Sequence, residues 1–125
     1  MTEEIHEHLL AAEDSLTDAN ILLQNDRFNA TVNRAYYTML HAATALLLHH
    51  NVERSSHQAV IAAFGQFLAK PGIIDTKYHR YLRETYDLRL AGDYNVYINI
   101  KPDEAELVAS RAQDFLDQVK LLLDK

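Results

Sequence analysis

The stretch "NRAYYTMLHAATALLLHH", residues 33–50, decides how this chain folds. Its fourteen residues from Ala35 to Leu48 are mostly alanine, leucine and aromatic. Wound as a helix, they send Tyr36, Tyr37, Met39, Leu40, Ala43, Leu46, Leu47 and Leu48 in almost every direction, and a helix apolar all round is buried all round. A bundle of this size covers only part of one helix's circumference. The remainder calls for a second subunit, most commonly through a two-fold axis. The stretch is therefore expected to be both the core helix and a dimer face.

Two residues do not fit a purely structural helix. Arg34 opens the stretch and His41 sits in its middle. Seven residues apart, they fall roughly 20° short of two full helical turns and about 10 Å apart along the axis. Asn33, Arg34, Tyr37, Thr38 and His41 thus form a polar file on a greasy helix. An arginine is costly to bury alone, so the file is expected to pair internally, to face another subunit, or to hold a ligand.

Working outward, residues 3–25 repeat Ile5, Leu9, Ala12, Leu16, Ala19 and Leu23 at spacings of three and four, an amphipathic helix with Thr2 as N-cap. "QNDR" turns the chain into the central helix, read from about Arg27 to His50. Ser55 and Gln58 have capping-box spacing for a third helix carrying Val60, Phe64 and Phe67, which "KPG" ends. Asp75 caps a fourth, with Tyr78, Tyr81, Leu82, Thr85 and Leu88 on one side and Gly92 placed to terminate it. "DYNVYINIK" reads as an extended connector, because a lone strand has no partner. Pro102, Asp103 and Glu104 begin a fifth helix whose Ala105, Val108, Ala112, Phe115, Val119 and Leu122 repeat in the same way. The reading is one domain over residues 1–125. It is all-α, an antiparallel up-and-down four-helix bundle with an additional helix.

The chain has 125 residues, no cysteine, three glycines and two prolines, with 48% apolar residues and a formal net charge of −6. No disulfide or thiolate chemistry is available, which fits a reducing compartment. The acidic, patterned N-terminus is unlike a signal peptide. The uncharged run 35–52 is broken by Thr38, His41 and Thr44, so no membrane span is expected. The negative balance disfavours loose binding to a nucleic-acid backbone, so an RNA contact needs a local basic patch.

"NRAYYTMLHAATALLL", with "SSHQAVIAAFGQFLAKPG" and "LRLAGDY", strongly resembles the HEPN-domain proteins over nearly the whole chain, from about residue 3 to residue 122. The family's central motif is an arginine, a spacer of four to six residues, and a histidine. It carries over here to Arg34, "AYYTML" and His41. The resemblance implies a four-helix core with a fifth helix, and a homodimer through the motif helices. In active members it implies metal-independent ribonuclease activity. It also implies a separately made minimal nucleotidyltransferase as antitoxin. Two positions depart from the pattern: Ala35 stands where nuclease members often have a polar residue, and Ala43 where some toxins have a tyrosine that their partner modifies with AMP.

The chemistry suits the pair. RNA cleavage by its own 2′-hydroxyl needs a group of near-neutral pKa to move a proton and a cation to stabilise a charged phosphorane. His41 is the candidate for the first task and Arg34 for the second. Asn33, Tyr37 and Asp93 are candidate supporting or substrate-binding residues. A structural alternative gives Arg34 a carboxylate such as Asp93 and makes His41 a satisfied interior histidine. Arg89 and Asp93, four apart, are also read as an intrahelical ion pair.

No metal and no cofactor are expected. His6 and His8 lie on different helix sides, His49 and His50 are adjacent, and the Glu3/His6 spacing has no second copy. His57 is read as a structural or capping histidine near a helix start, with an approach to the phosphate cleft as the alternative, and Tyr78 and Tyr81 as core. The expected protein is a cytoplasmic HEPN-type RNA endonuclease toxin. The alternative is a non-catalytic HEPN subunit that binds a nucleotide or docks a nucleotidyltransferase.

Overall fold

The computed structural model describes residues 1–94 and 98–125. These residues form five helices and no strand: α1 (Glu3–Gln24), α2 (Phe28–His49), α3 (His57–Ala63), α4 (Thr76–Tyr94) and α5 (Pro102–Leu123). A π-helical segment, Phe64–Ala69, continues α3. The expected all-α class and the five helices are what the structure contains. The short connection of residues 25–27 folds α2 back along α1, with Asp26 in the left-handed region at φ 59°.

Local chemistry explains most boundaries. The Thr2 hydroxyl accepts from the Ile5 N–H at 3.2 Å, and an Asp75 carboxylate oxygen accepts from the Lys77 N–H at 2.9 Å. At the start of α5, Pro102 occupies the first turn and Glu104 reaches back to the Lys101 N–H at 3.2 Å. Two expected signals are corrected. Ser56, not Ser55, caps α3, accepting from the Ala59 N–H at 3.1 Å. Gly92 does not end α4, which runs on to Tyr94. A Cβ at Gly92 would lie 3.3 Å from Ile100 Cδ1, so its smallness admits the following connector.

Of that connector, residues 95–97, including Val96, lie outside the described residues. Residues 98–100 are neither helix nor strand. Asn29 of α2 holds them, donating to the Ile98 carbonyl at 3.4 Å and accepting from the Ile100 N–H at 3.1 Å. Ile100 is buried as a result.

The third helix departs from simple periodicity. After Phe64 the Lys70 N–H bonds the Gly65 carbonyl, five residues back, at 2.9 Å. The wider turn rotates the face. Phe64 and Leu68 are fully buried, while Phe67, expected on the inner stripe, is 36% exposed.

Helix α2 packs against every other element of the chain, which is why it is apolar on nearly all sides. Val32, Ala35, Tyr36, Met39, Ala42, Ala43, Leu46 and Leu47 are buried within this one chain, and α2 has no exposed large hydrophobic residue. The sequence argument for a second subunit as apolar cover is therefore corrected, because α1, α3, α4 and α5 supply that cover. What remains half-exposed along the middle of α2 is a strip holding Asn33, Arg34, Tyr37 and His41, with Thr44 and Leu48 beyond.

Candidate functional site

The strip is a consequence of helical phase. Arg34, Tyr37 and His41 lie at spacings of three and four, on the one side of α2 that its neighbours leave partly open. Thr38, expected in the same file, is fully buried and its hydroxyl donates to the Arg34 carbonyl at 3.2 Å. Back-bonding of this kind satisfies a core threonine and removes it from the surface.

Arg34 Nε donates to Asn33 Oδ1 at 3.1 Å, and its guanidinium carbon lies 4.7 Å from the Tyr37 ring centroid. Among the described residues no carboxylate pairs with Arg34. Asp93 instead lies 3.3 Å from Arg89 Nε, one turn away on α4. The intrahelical pair expected for Arg89 and Asp93 is what the structure contains, and an Asp93 contact to Arg34 is not. The geometry is a charge contact rather than an aligned hydrogen bond, since Arg89 Nε is buried without an acceptor.

Arg89 belongs to the site in its own right. Its guanidinium carbon lies 5.2 Å from the Tyr36 centroid and 5.3 Å from that of Tyr37, and Nη2 donates to the Tyr37 hydroxyl at 3.4 Å. Tyr37 thus has two guanidinium groups near its ring, one from α2 and one from α4. Cation–π attraction holds both charges near the strip, and Asp93 offsets part of the Arg89 charge. These two arginines are the cations nearest the Tyr37 ring.

His41 has its Nδ1 3.0 Å from Nδ1 of His8, which comes from α1. His57, the first residue of α3, has its Nδ1 3.1 Å from the hydroxyl of the fully buried Tyr36. A cleft of about 210 Å³ is lined by His8, His41, His57 and Thr44, with Glu4, Glu53 and Arg54 also on its walls. Burial holds the His41 imidazole below the ordinary histidine range, and the nearby His8, Arg34 and His57 push it the same way. His57 is lowered too, first by burial and then by Arg89. Both rings are thereby kept neutral at pH 7, the form that accepts a proton.

The sequence file Asn33, Arg34, Tyr37 and His41 is therefore brought together, while Asp93 meets Arg89 rather than Arg34. His8 and Arg89 are not among the site residues that the sequence points to, and His57, for which the sequence favours a structural role over an approach to the cleft, lies on the cleft wall. His8 is one residue before Leu9 on the α1 stripe, at the edge of the buried face, which was the available signal. Judging it only against His6, two residues away, hid its partner on another helix. Among the described residues no group of three or more His, Asp or Glu is placed to hold a metal ion. No described helix is long and apolar enough to cross a membrane.

The model of the HEPN domain matches residues 5–122, almost the whole chain. The chain belongs to the HEPN family. Its relatives include a Methanocaldococcus jannaschii protein that its name presents as a candidate toxin, MJ0605, 37% identical over 97% of this chain and 90% of that protein. A second candidate toxin of the same organism, MJ0142, is 30% identical over 96% of this chain and 82% of its own length. A Thermotoga maritima protein named only UPF0332 is 30% identical over 90% of this chain and 86% of its own. Within this HEPN domain, Ala35 and Ala43 are both fully buried. The position two residues after His41 therefore offers no hydroxyl and faces the core.

Proposed function

We propose that this HEPN domain is a toxin that cleaves RNA without a metal ion, in a cleft shared by two copies, and that a nucleotidyltransferase antitoxin neutralises it. The observation that carries the reading is the placing of Arg34 and His41 on one half-exposed strip. The arginine there has no carboxylate partner among the described residues, and the histidine is kept neutral. Relatives named as candidate toxins over nearly the full chain support it.

In the proposed reaction, His41 takes the proton of a ribose 2′-hydroxyl as that oxygen attacks the adjacent phosphorus. The Arg34 guanidinium stabilises the extra negative charge of the phosphorane. The bond to the 5′-oxygen then breaks, leaving a 2′,3′-cyclic phosphate, and the 5′-oxygen takes a proton from the His41 of a second copy, which acts as acid only in its protonated, minority form. Two copies meeting strip to strip supply one base and one acid. Such a dimer is formed by polar recognition around the arginines, since α2 has no exposed large hydrophobic residue for it to cover.

A non-catalytic subunit that binds a nucleotide or docks a nucleotidyltransferase is the second reading, favoured by the buried, apolar Ala35 beside Arg34. The two separate in one experiment. Purified protein is incubated with cellular RNA in chelator beside Arg34→Ala and His41→Ala, each checked by circular dichroism. The nuclease reading expects cyclic-phosphate ends from the parent and a loss of about 100-fold or more in either variant. Intact RNA with the parent, at protein concentrations where it is dimeric and free of any partner, sinks it in favour of docking.

A further inference from the structure

Two imidazole nitrogens 3.0 Å apart need one N–H and one lone pair between them. The His8 and His41 rings are tilted by 37° with centroids 5.2 Å apart, so they meet nitrogen to nitrogen rather than stacking face to face. This contact survives when one of the two rings is protonated, because the other still offers a lone pair. It does not survive when both are. Around the pair stand Glu4 on α1, Arg34 on α2, Glu53 and Arg54 in the following connection, and His57 on α3, with Arg89 of α4 beside His57.

We propose that His8 is a positioning residue for His41: it accepts the hydrogen bond of His41 Nδ1–H and so makes Nε2 the nitrogen that exchanges protons with the cleft. With Nδ1 occupied, Nε2 carries a lone pair when His41 acts as base and a proton when it acts as acid. His8 keeps the same role in both states. An orienting carboxylate in this place would raise the basicity of His41. An imidazole that accepts at Nδ1 orients it without placing a negative charge beside it. The catalytic use of this arrangement rests on the nuclease reading, but the arrangement itself does not.

The test is nitrogen-15 NMR of the histidine-labelled whole protein, at a pH where both rings are neutral, on wild type, His8→Asn and His8→Phe. The expected result is His41 protonated at Nδ1 in wild type. His8→Asn retains this form, because the asparagine carbonyl oxygen stands close to the lost nitrogen and accepts the same hydrogen bond. His8→Phe shifts His41 towards protonation at Nε2. In the RNA assay His8→Phe should lower cleavage by about tenfold or more while His8→Asn stays close to wild type. His41 protonated at Nε2 in wild type, or identical His41 signals in wild type and a folded His8→Phe, overturns the proposal. If wild type cuts no RNA but shows the expected NMR pattern, the nuclease reading fails and the positioning stands.

Discussion

The hydroxyl of Tyr36 and Nδ1 of His57 meet at 3.1 Å, tying the buried middle of α2 to the first residue of α3. Burial pushes the Tyr36 phenol well above its usual range, so it stays protonated and available to this contact at any physiological pH. The link places His57 on the wall of the cleft. Tyr36→Phe should cost about 1 kcal/mol of stability, since His57 is half-exposed and water can replace the lost partner. Urea unfolding monitored by circular dichroism measures this. A loss of about 3 kcal/mol or more would mean that the hydroxyl supports far more than one contact.

The π-helical segment makes a prediction that an ordinary helix would reverse. Leu68 is fully buried and Phe67 is 36% exposed, with Arg54 over its ring at 5.7 Å. Leu68→Ala should destabilise by about 2–5 kcal/mol through lost transfer energy and a cavity. Phe67→Ala, on the surface side, should cost about 1 kcal/mol or less. Comparing the two urea midpoints decides it, and a larger loss for Phe67→Ala would put the register of this segment in error.

Asp93 pairs with Arg89 rather than with Arg34. Asp93 is well exposed, so the pair is screened by solvent and Asp93→Asn should change stability by about 0.5 kcal/mol or less. RNA cleavage should stay within about twofold of wild type, because the contact to the Tyr36 and Tyr37 rings does not need the carboxylate. Arg89→Met, which removes the cation between those rings, should reduce cleavage clearly more than Asp93→Asn does. Equal and large losses in both would mean that Asp93 acts on the substrate.

Stability should fall as pH is lowered through the histidine range. The imidazoles of His41 and His57 are held below the ordinary value of 6.5 in the folded chain. Below pH 6.5 the unfolded chain therefore binds protons that the folded chain does not, so unfolding is favoured as pH drops towards the depressed folded values. Above pH 6.5 both states hold the rings neutral and the contribution is flat. Unfolding free energies at about pH 5, 6 and 7 should rise with pH, and the rise should be smaller in His41→Asn. An unchanged slope in that variant would show that His41 titrates alike in both states. For the reaction, the same shift keeps His41 a competent base into mildly acidic solution.

Much of the site was legible because it lies on one helix. Arg34, Tyr37 and His41 sit at spacings of three and four, and helical geometry alone puts them on one face. The partners from other elements were not legible. His8 reaches His41 across 33 positions of sequence and Arg89 reaches Tyr37 across 52. Sequence spacing carries no information about such distances. Thr38 shows the limit within a single helix, since whether a threonine faces solvent or bonds its own backbone depends on which neighbour covers it.

Periodicity, caps and turn residues determined by themselves that the chain is a helical bundle built around residues 33–50, because those preferences act within a few residues of one another. Only the tertiary structure decided how that central helix is covered. Its apolar sides are closed by the chain's own helices, so the strip left partly open is polar, and a second copy has no large apolar surface there to bury. It also decided that Arg34 has no carboxylate partner among the described residues while His41 has an imidazole neighbour. Both follow from the packing of α1 and α4 beside α2, in which burial and long-range charge contacts act between residues that the sequence holds far apart.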